Sequence, residues 1–230
     1  MNDHGLRFQA FDPNADFRVR YRKLPHWHQC GCALFITFRT IDSLPKEALE
    51  HIEAELIDWL RVRQIPVDQL SQTHSLARFE DNIQWTMLTQ RTRTEFQKRV
   101  NYLYEWSIDK CYGSCPLRDP EISGMMADII HYHDGQRYDL DRFVIMPNHV
   151  HALLQMRSGY ELDVIGQSWM RYSARKINPI IGHQGAFWQG EPFDHIVRDD
   201  RQLERIRAYI EANPKKTRLK PGEYHYWSRG

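Results

Sequence analysis

One stretch leaves the backbone few choices: Phe143-Val144-Ile145-Met146-Pro147-Asn148-His149-Val150-His151-Ala152-Leu153. Two apolar runs, Tyr138 to Met146 and His149 to Met156, are joined by only two residues, Pro147-Asn148. A link that short forces the two strands to be antiparallel. Successive strand side chains point to opposite faces, so His149 and His151 share one face and Val150 takes the other. Two imidazoles side by side on a sheet can hold one divalent ion, and burying them without partners is costly. The plainer alternative is a solvent-facing pair on a half-exposed strand. A catalytic ion needs at least a third group and open positions for substrate.

The other elements follow from period and punctuation. Residues 1–32, with Pro13 and Pro25, read as irregular, and Ala33 to Phe38 as a first strand. Ser43 is placed to cap a helix reaching about Arg63, with Leu49, Ile52, Leu56 and Leu60 at helical spacing on its inner face. Residues 64–77 read as a linker. A second long helix is expected from about Glu80 to Lys110, with Leu88, Phe96, Val100, Leu103 and Trp106 as its core face. Cys111 to Pro120 reads as a loop and residues 121–133 as a short helix. After the hairpin a third long helix is expected over Leu162 to Ile177, then a loop from Gly182 to Pro192. A last helix runs from about Asp200 to Ala212, because Pro214 disfavours helical geometry at Asn213. The tail, Lys215 to Gly230, is basic and aromatic. Mixed strands and helices of this kind give an α+β or α/β sandwich.

Composition excludes some roles. The 230 residues carry 31 basic and 30 acidic side chains, net +1, which argues against a histone-like coat but not against a local basic groove. No apolar run is long enough to span a membrane, and Met1 to Arg22 does not read as a secretory signal, so a cytoplasmic protein with free thiols is expected. Cys30, Cys32, Cys111 and Cys115 are poor matches to zinc spacing.

The motif Met146-Pro147-Asn148-His149-Val150-His151 resembles the His-hydrophobic-His signature of the IS200-like transposase superfamily. From about residue 30 to the end, the chain is similar to one branch, the REP-associated tyrosine transposases. Phe35 to Phe38, Cys115-Pro116-Leu117-Arg118-Asp119-Pro120, Arg137-Tyr138, Phe187-Trp188-Gln189, Tyr209 to Pro214 and Glu223 to Ser228 carry that similarity in order. The resemblance implies an α+β, ferredoxin-like sandwich, an antiparallel sheet backed by helices. It implies one domain with a helical insertion at about 64–120 and a basic aromatic tail at about 214–230. It also implies a metal-dependent enzyme that cuts and rejoins single-stranded DNA beside hairpins, through a tyrosine linked to the 5′ phosphate, and that works on the nucleoid as a monomer or homodimer.

On that basis His149 and His151 bind Mg²⁺ or Mn²⁺. Tyr209 is the nucleophile, and Asn213, one helical turn on, completes the ligand set. Tyr172 is the competing tyrosine, but it extends the stripe Leu162, Ile165, Trp169 and reads as a core residue. Arg171, Arg175, Lys176, Lys215, Lys216 and Arg218 are candidate DNA-phosphate contacts, as is Lys220. Tyr224, Tyr226 and Trp227 could stack on bases, and Trp188 reads as packing. Two rivals stay open: a hairpin-binding protein that no longer cuts, and an unrelated metal hydrolase that uses water.

Overall fold

The computed structural model describes residues 7–21, 25–66, 88–190 and 192–230. The chain divides into two compact units, Met1–Ser43 with Gly113–Gly230, and Leu44–Tyr112. In chain order the elements are β1 (Arg18–Tyr21), β2 (Pro25–His28), β3 (Ala33–Arg39), α1 (Lys46–Val62) and α2 (Gln90–Ile108). They continue with a 3₁₀ turn (Pro116–Arg118), α3 (Pro120–His131), β4 (Tyr138–Met146), β5 (His149–Met156) and α4 (Leu162–Ile181). The last are β6 (Phe193–Ile196), α5 (Asp200–Lys216) and β7 (His225–Ser228). No helix among the described residues is long and apolar enough to cross a membrane.

The first unit is the expected α+β architecture. Its main sheet has the order β6-β3-β5-β4-β7, with every neighbouring pair antiparallel. β3, α3, β4, β5, α4 and β6 form a β-α-β-β-α-β series, and the strands lie fourth-first-third-second. That is the ferredoxin-like arrangement, to which β7 adds an edge.

Alternation sorts the strand residues between two layers. Leu34, Ile36 and Phe38 of β3, with Val150, Ala152 and Leu154 of β5, pack on α3 (Ile122, Met126, Ile130) and α4 (Ile165, Trp169). Ala33, Phe35, Val144, Met146 and Leu153 face the other way, against Leu203, Ile206 and Ile210 of α5. Helices thus cover both faces, α3 and α4 on one and α5 on the side that His149 and His151 share. The register shifts once in β4, between Leu140 and Arg142, so Leu140 and Phe143 face one layer although three residues apart. The second unit is a helical pair: Ile52, Leu56 and Leu60 of α1 meet Phe96 and Leu103 of α2.

Several boundaries differ from expectation, each for a local reason. Ser43 does not cap α1. Its hydroxyl donates to Thr40 O at 2.7 Å, and Pro45 takes the cap position. Leu49 and Trp106 are exposed, because the contact between α1 and α2 is narrower than the apolar spacing suggests. Residues 67–77 of the expected linker and 80–87 of the expected second helix lie outside the described residues; that helix is described from Gln90, with Thr89 Oγ1 accepting the Thr92 N–H.

β1 and β2 pair within a region read as irregular, and β6 and β7 arise where a loop and a tail were expected. α4 runs four residues past Ile177, through Pro179. α5 passes through Pro214 as well. Proline removes one ladder donor near the helix end, but Thr217 N–H still reaches Asn213 O and Leu219 N–H reaches Pro214 O. Burial of Ile210, Asn213 and Pro214 on the packed face offsets the lost bond.

Candidate active site

β5 enters the site from a pinned turn. Thr40 N–H donates to Asn148 O at 2.8 Å, and Leu117 N–H donates to Pro147 O at 3.1 Å. Strand register then sets His151 between Thr37 of β3 and Val144 of β4, with His149 beside Met146. The two imidazole centroids are 4.6 Å apart, inclined at 71°. Both rings are buried, at 0% and 2% exposure.

For His149 the hydrogen bond identifies which ring nitrogen carries the proton. His149 Nδ1 lies 2.7 Å from Asn148 Oδ1, a carbonyl oxygen that can only accept, so Nδ1 holds the proton and Nε2 the lone pair. His151 Nδ1 lies 2.7 Å from Thr37 Oγ1, and its Nε2 lies 3.2 Å from the Tyr209 hydroxyl. Both partners are hydroxyls that can donate or accept; in the tautomer that frees Nε2 for an ion, Nδ1–H donates to Thr37 Oγ1. In each ring an outer oxygen orients the imidazole and turns Nε2 inward, the arrangement that metal-binding histidines use.

Burial pushes His149 well below the ordinary histidine range, and the neighbouring His151 and Arg39 add to it. His151 is lowered to about 3, first by burial and then by Lys216. Both rings are therefore neutral near neutral pH, the form that ligates metals. The donor chemistry fits a divalent ion.

Tyr209 comes from α5 on the same face of the sheet. Its ring meets His151 at 5.1 Å and Phe35 at 6.3 Å, and Lys216 Nζ lies 4.7 Å from its centroid. Asn213, one turn beyond Tyr209, stays helical and is fully buried on the packed side of α5. Lys215, Lys216 and Arg218 are exposed at the end of that helix.

Arg171, Arg175 and Lys176 are elsewhere: they are exposed on α4, which packs on the opposite face of the sheet. There Arg175 and Lys176 lie 5.8 and 5.7 Å from the ring of Tyr172. Tyr172 is 45% exposed rather than core, because the buried stripe of α4 continues from Trp169 through Ser173 and Ile177. Trp188 is buried and donates its indole N–H to Ser173 Oγ at 2.8 Å. Tyr224 and Tyr226 pack against the α5 core, and Trp227 stacks on Phe143 at 5.7 Å.

Sequence reasoning gives no site role to Thr37, Asn148, Phe35 or His195. His195 on β6 packs on Phe35 at 5.3 Å and is lowered to about 4, by burial and then by Arg198. Asn148 was the one within reach, since an Asn directly before a strand histidine can bond its ring.

Comparison with known proteins places the chain among recognisable relatives. Residues 119–213 match a family model described as "Transposase IS200 like". An uncharacterized protein of Haemophilus influenzae is 24% identical over 139 residues, covering 51% of this chain and 68% of that one. A solved structure of a REP-associated tyrosine transposase bound to a REP hairpin covers 86% of this chain and 73% of its own, with 13% identity and a TM-score of 0.40. The family match spans His149, His151, Tyr209 and Asn213 together. Over residues 119–213, which hold both histidines of the hairpin and the last helix, the chain is therefore similar to the IS200-like transposases.

Proposed function

We propose that this transposase-like protein cuts and rejoins single-stranded DNA next to REP-like hairpins, by transesterification at Tyr209. The observation that carries the reading is the Tyr209 hydroxyl, 3.2 Å from Nε2 of a buried, neutral His151. A phenol is a weak nucleophile at neutral pH, with an ordinary pKa of about 10. It needs a neighbour that takes its proton or stabilises its anion.

His149 and His151 are the residues that would hold a divalent ion, with the Asn213 carbonyl as third ligand. When bound, Mg²⁺ or Mn²⁺ supplies charge neutralisation at the scissile phosphate. The protein's own groups do the rest. Tyr209 Oη forms a bond to phosphorus as the bond to the 3′ oxygen breaks. The products are a 5′-phosphotyrosine and a 3′ oxygen that leaves and takes up a proton. One ester replaces another, so rejoining needs no external energy: a 3′ hydroxyl attacks the phosphotyrosine and expels Tyr209.

With an ion on the His151 Nε2 lone pair, the Tyr209 proton would pass to solvent; without one, His151 Nε2 would accept it, and in either case the leaving 3′ oxygen takes a proton from solvent. Thr37 fixes the ring orientation for both. The Lys216 ammonium, 4.7 Å from the Tyr209 ring centroid, adds positive charge where the phosphate must approach. Lys215 and Arg218 extend that charge along the strand. Arg171, Arg175 and Lys176 contact a separate part of the substrate from the far face of the sheet.

The test is a trapping assay with labelled hairpin oligonucleotides and Mg²⁺ or Mn²⁺ on a denaturing gel. A slow, metal-dependent adduct is expected, lost with Tyr209→Phe and His151→Ala. Cleavage without an adduct would make water the nucleophile. Bound but intact oligonucleotide would leave a hairpin-binding protein.

A further inference from the structure

The tyrosine helix is also fastened to the sheet on its far flank, by an ion pair outside the chemistry described above. α5 lays Leu203, Ile206, Ile210 and Asn213 on the sheet. Arg207 and Tyr209, two residues apart and so about 200° apart around the axis, project on either side of that stripe. Tyr209 reaches Phe35 of β3 and His151 of β5. Arg207 reaches β4, where its Nε donates to Asp141 Oδ2 at 3.0 Å and its Nη2 donates to the same oxygen.

Asp141 is the residue that the register shift of β4 inserts between Leu140 and Arg142. Such bulges re-aim side chains beside functional sites. The carboxylate is 3% exposed. Its other oxygen accepts from Arg142 Nε at 2.6 Å, and Arg229 N–H donates to its backbone carbonyl at 2.9 Å. A buried carboxylate is costly to strip of a partner, so it holds Arg207 firmly.

We propose that Asp141 and Arg207 are positioning residues. They set the roll of α5 about its axis and thereby the place of the Tyr209 oxygen. The inference deepens the transesterase reading and rests on it. The apolar stripe alone cannot fix the roll, because hydrophobic burial is non-directional. Tethers on opposite flanks can, since β5 lies between β3 and β4 in the sheet. A tyrosine oxygen sits roughly 8 Å from its helix axis, so a roll of about 10° moves it roughly 1.5 Å. Displacements of about 1 Å can cost about 10²-fold in rate.

The experiment compares wild type, Tyr209→Phe, Asp141→Asn, Arg207→Gln, Arg207→Lys and the Asp141→Asn/Arg207→Gln double variant. It measures adduct formation at saturating hairpin oligonucleotide, hairpin Kd, and amide exchange of α5 against α3 and α4. Adduct formation should fall about 10²-fold in the Asn and Gln variants with Kd within about twofold. The double variant should be no slower than either single one. Arg207→Lys, which keeps the charge but not the fork, should fall between. Faster exchange should be confined to α5. Should Asp141→Asn fail to fold, the two Arg207 variants decide.

Wild-type rates with unchanged α5 protection would overturn the proposal. So would protection lost equally in α3 and α4, which would mean general stabilisation. If wild type itself forms no adduct, the transesterase reading fails instead, and α5 exchange still tells whether the pair fixes the helix.

Discussion

Acid should unfold the sheet-bearing unit through its buried imidazoles. The perturbation is a drop from about pH 7.5 to about pH 5 with chelator present, so that no metal competes. His151 falls from 6.5 to about 3 and His195 from 6.5 to about 4 on folding, and His149 moves in the same direction. In each case the folded pKa is depressed, so the unfolded chain binds more protons. The stabilisation is complete above pH 6.5 and is lost as pH falls from there towards 4 and then 3. At about pH 5 each unfolded imidazole has gained about 1.5 pH units of proton binding, or about 2 kcal/mol at about 1.36 kcal/mol per unit.

His151 and His195 together sum to about 4 kcal/mol, with His149 adding in the same direction, which approaches the whole stability of a typical domain, about 5–15 kcal/mol. Urea unfolding at several pH values, followed by far-UV circular dichroism and by fluorescence from Trp169, Trp188 and Trp227, reads the change. The slope near pH 5 from His151 and His195 should be about 2.7 kcal/mol per unit, and His195→Gln should lower the measured slope by about 1.4 kcal/mol per unit. An unfolding midpoint unchanged between these pH values would refute the reasoning. The rings would then be protonated in the folded state, and could not be the dry, neutral pair described above.

Other perturbations test separate parts of the structure. Tyr138→Phe strips the partner from Trp169 Nε1, which donates to the phenol at 3.2 Å, and from Ile130 O, which accepts from it at 2.5 Å; urea unfolding should show a loss of about 1–3 kcal/mol. Asp199→Ala removes the cap that accepts the Gln202 N–H at 2.7 Å and should cost about 1 kcal/mol, read as lower thermal stability of α5. Ile210→Ala empties a fully buried site beneath the tyrosine helix and should cost about 2–5 kcal/mol in the same measurement. Mn²⁺ at about 100 times its Kd should stabilise wild type by about 2.7 kcal/mol in a thermal scan and should leave His149→Ala unmoved.

What the sequence disclosed divides along the range of the signal. The hairpin was readable because a two-residue link and a period of two are local facts, and they placed His149 and His151 on one face without any knowledge of the neighbours. Tyr172 misled because an apolar stripe was extended by one more aromatic. The position that packs is Ser173, whose hydroxyl donates to Trp169 O and accepts the Trp188 indole N–H, and a serine carries no hydrophobic signal. The four-residue strands were missed because little in them is periodic; β7 is a strand because β4 offers an edge to pair with.

The site separates in the same way. Thr37 lies 114 residues from the imidazole it orients, and Arg207 lies 66 residues from Asp141. Nothing in either segment names its partner; strand register does. The basic residues of α4 make the same point from the other side. Helical spacing shows that Arg171, Arg175 and Lys176 share an exposed face, but only the order of strands shows that this face lies across the sheet from Tyr209. A DNA strand held there and at Lys216 together must pass around an edge of the sheet. One edge is β6, four residues long, and the other is β7, whose Trp227 lies half-buried on Phe143. Charge spacing in the sequence therefore identifies surfaces that can meet phosphate, while topology decides whether they can meet the same phosphodiester.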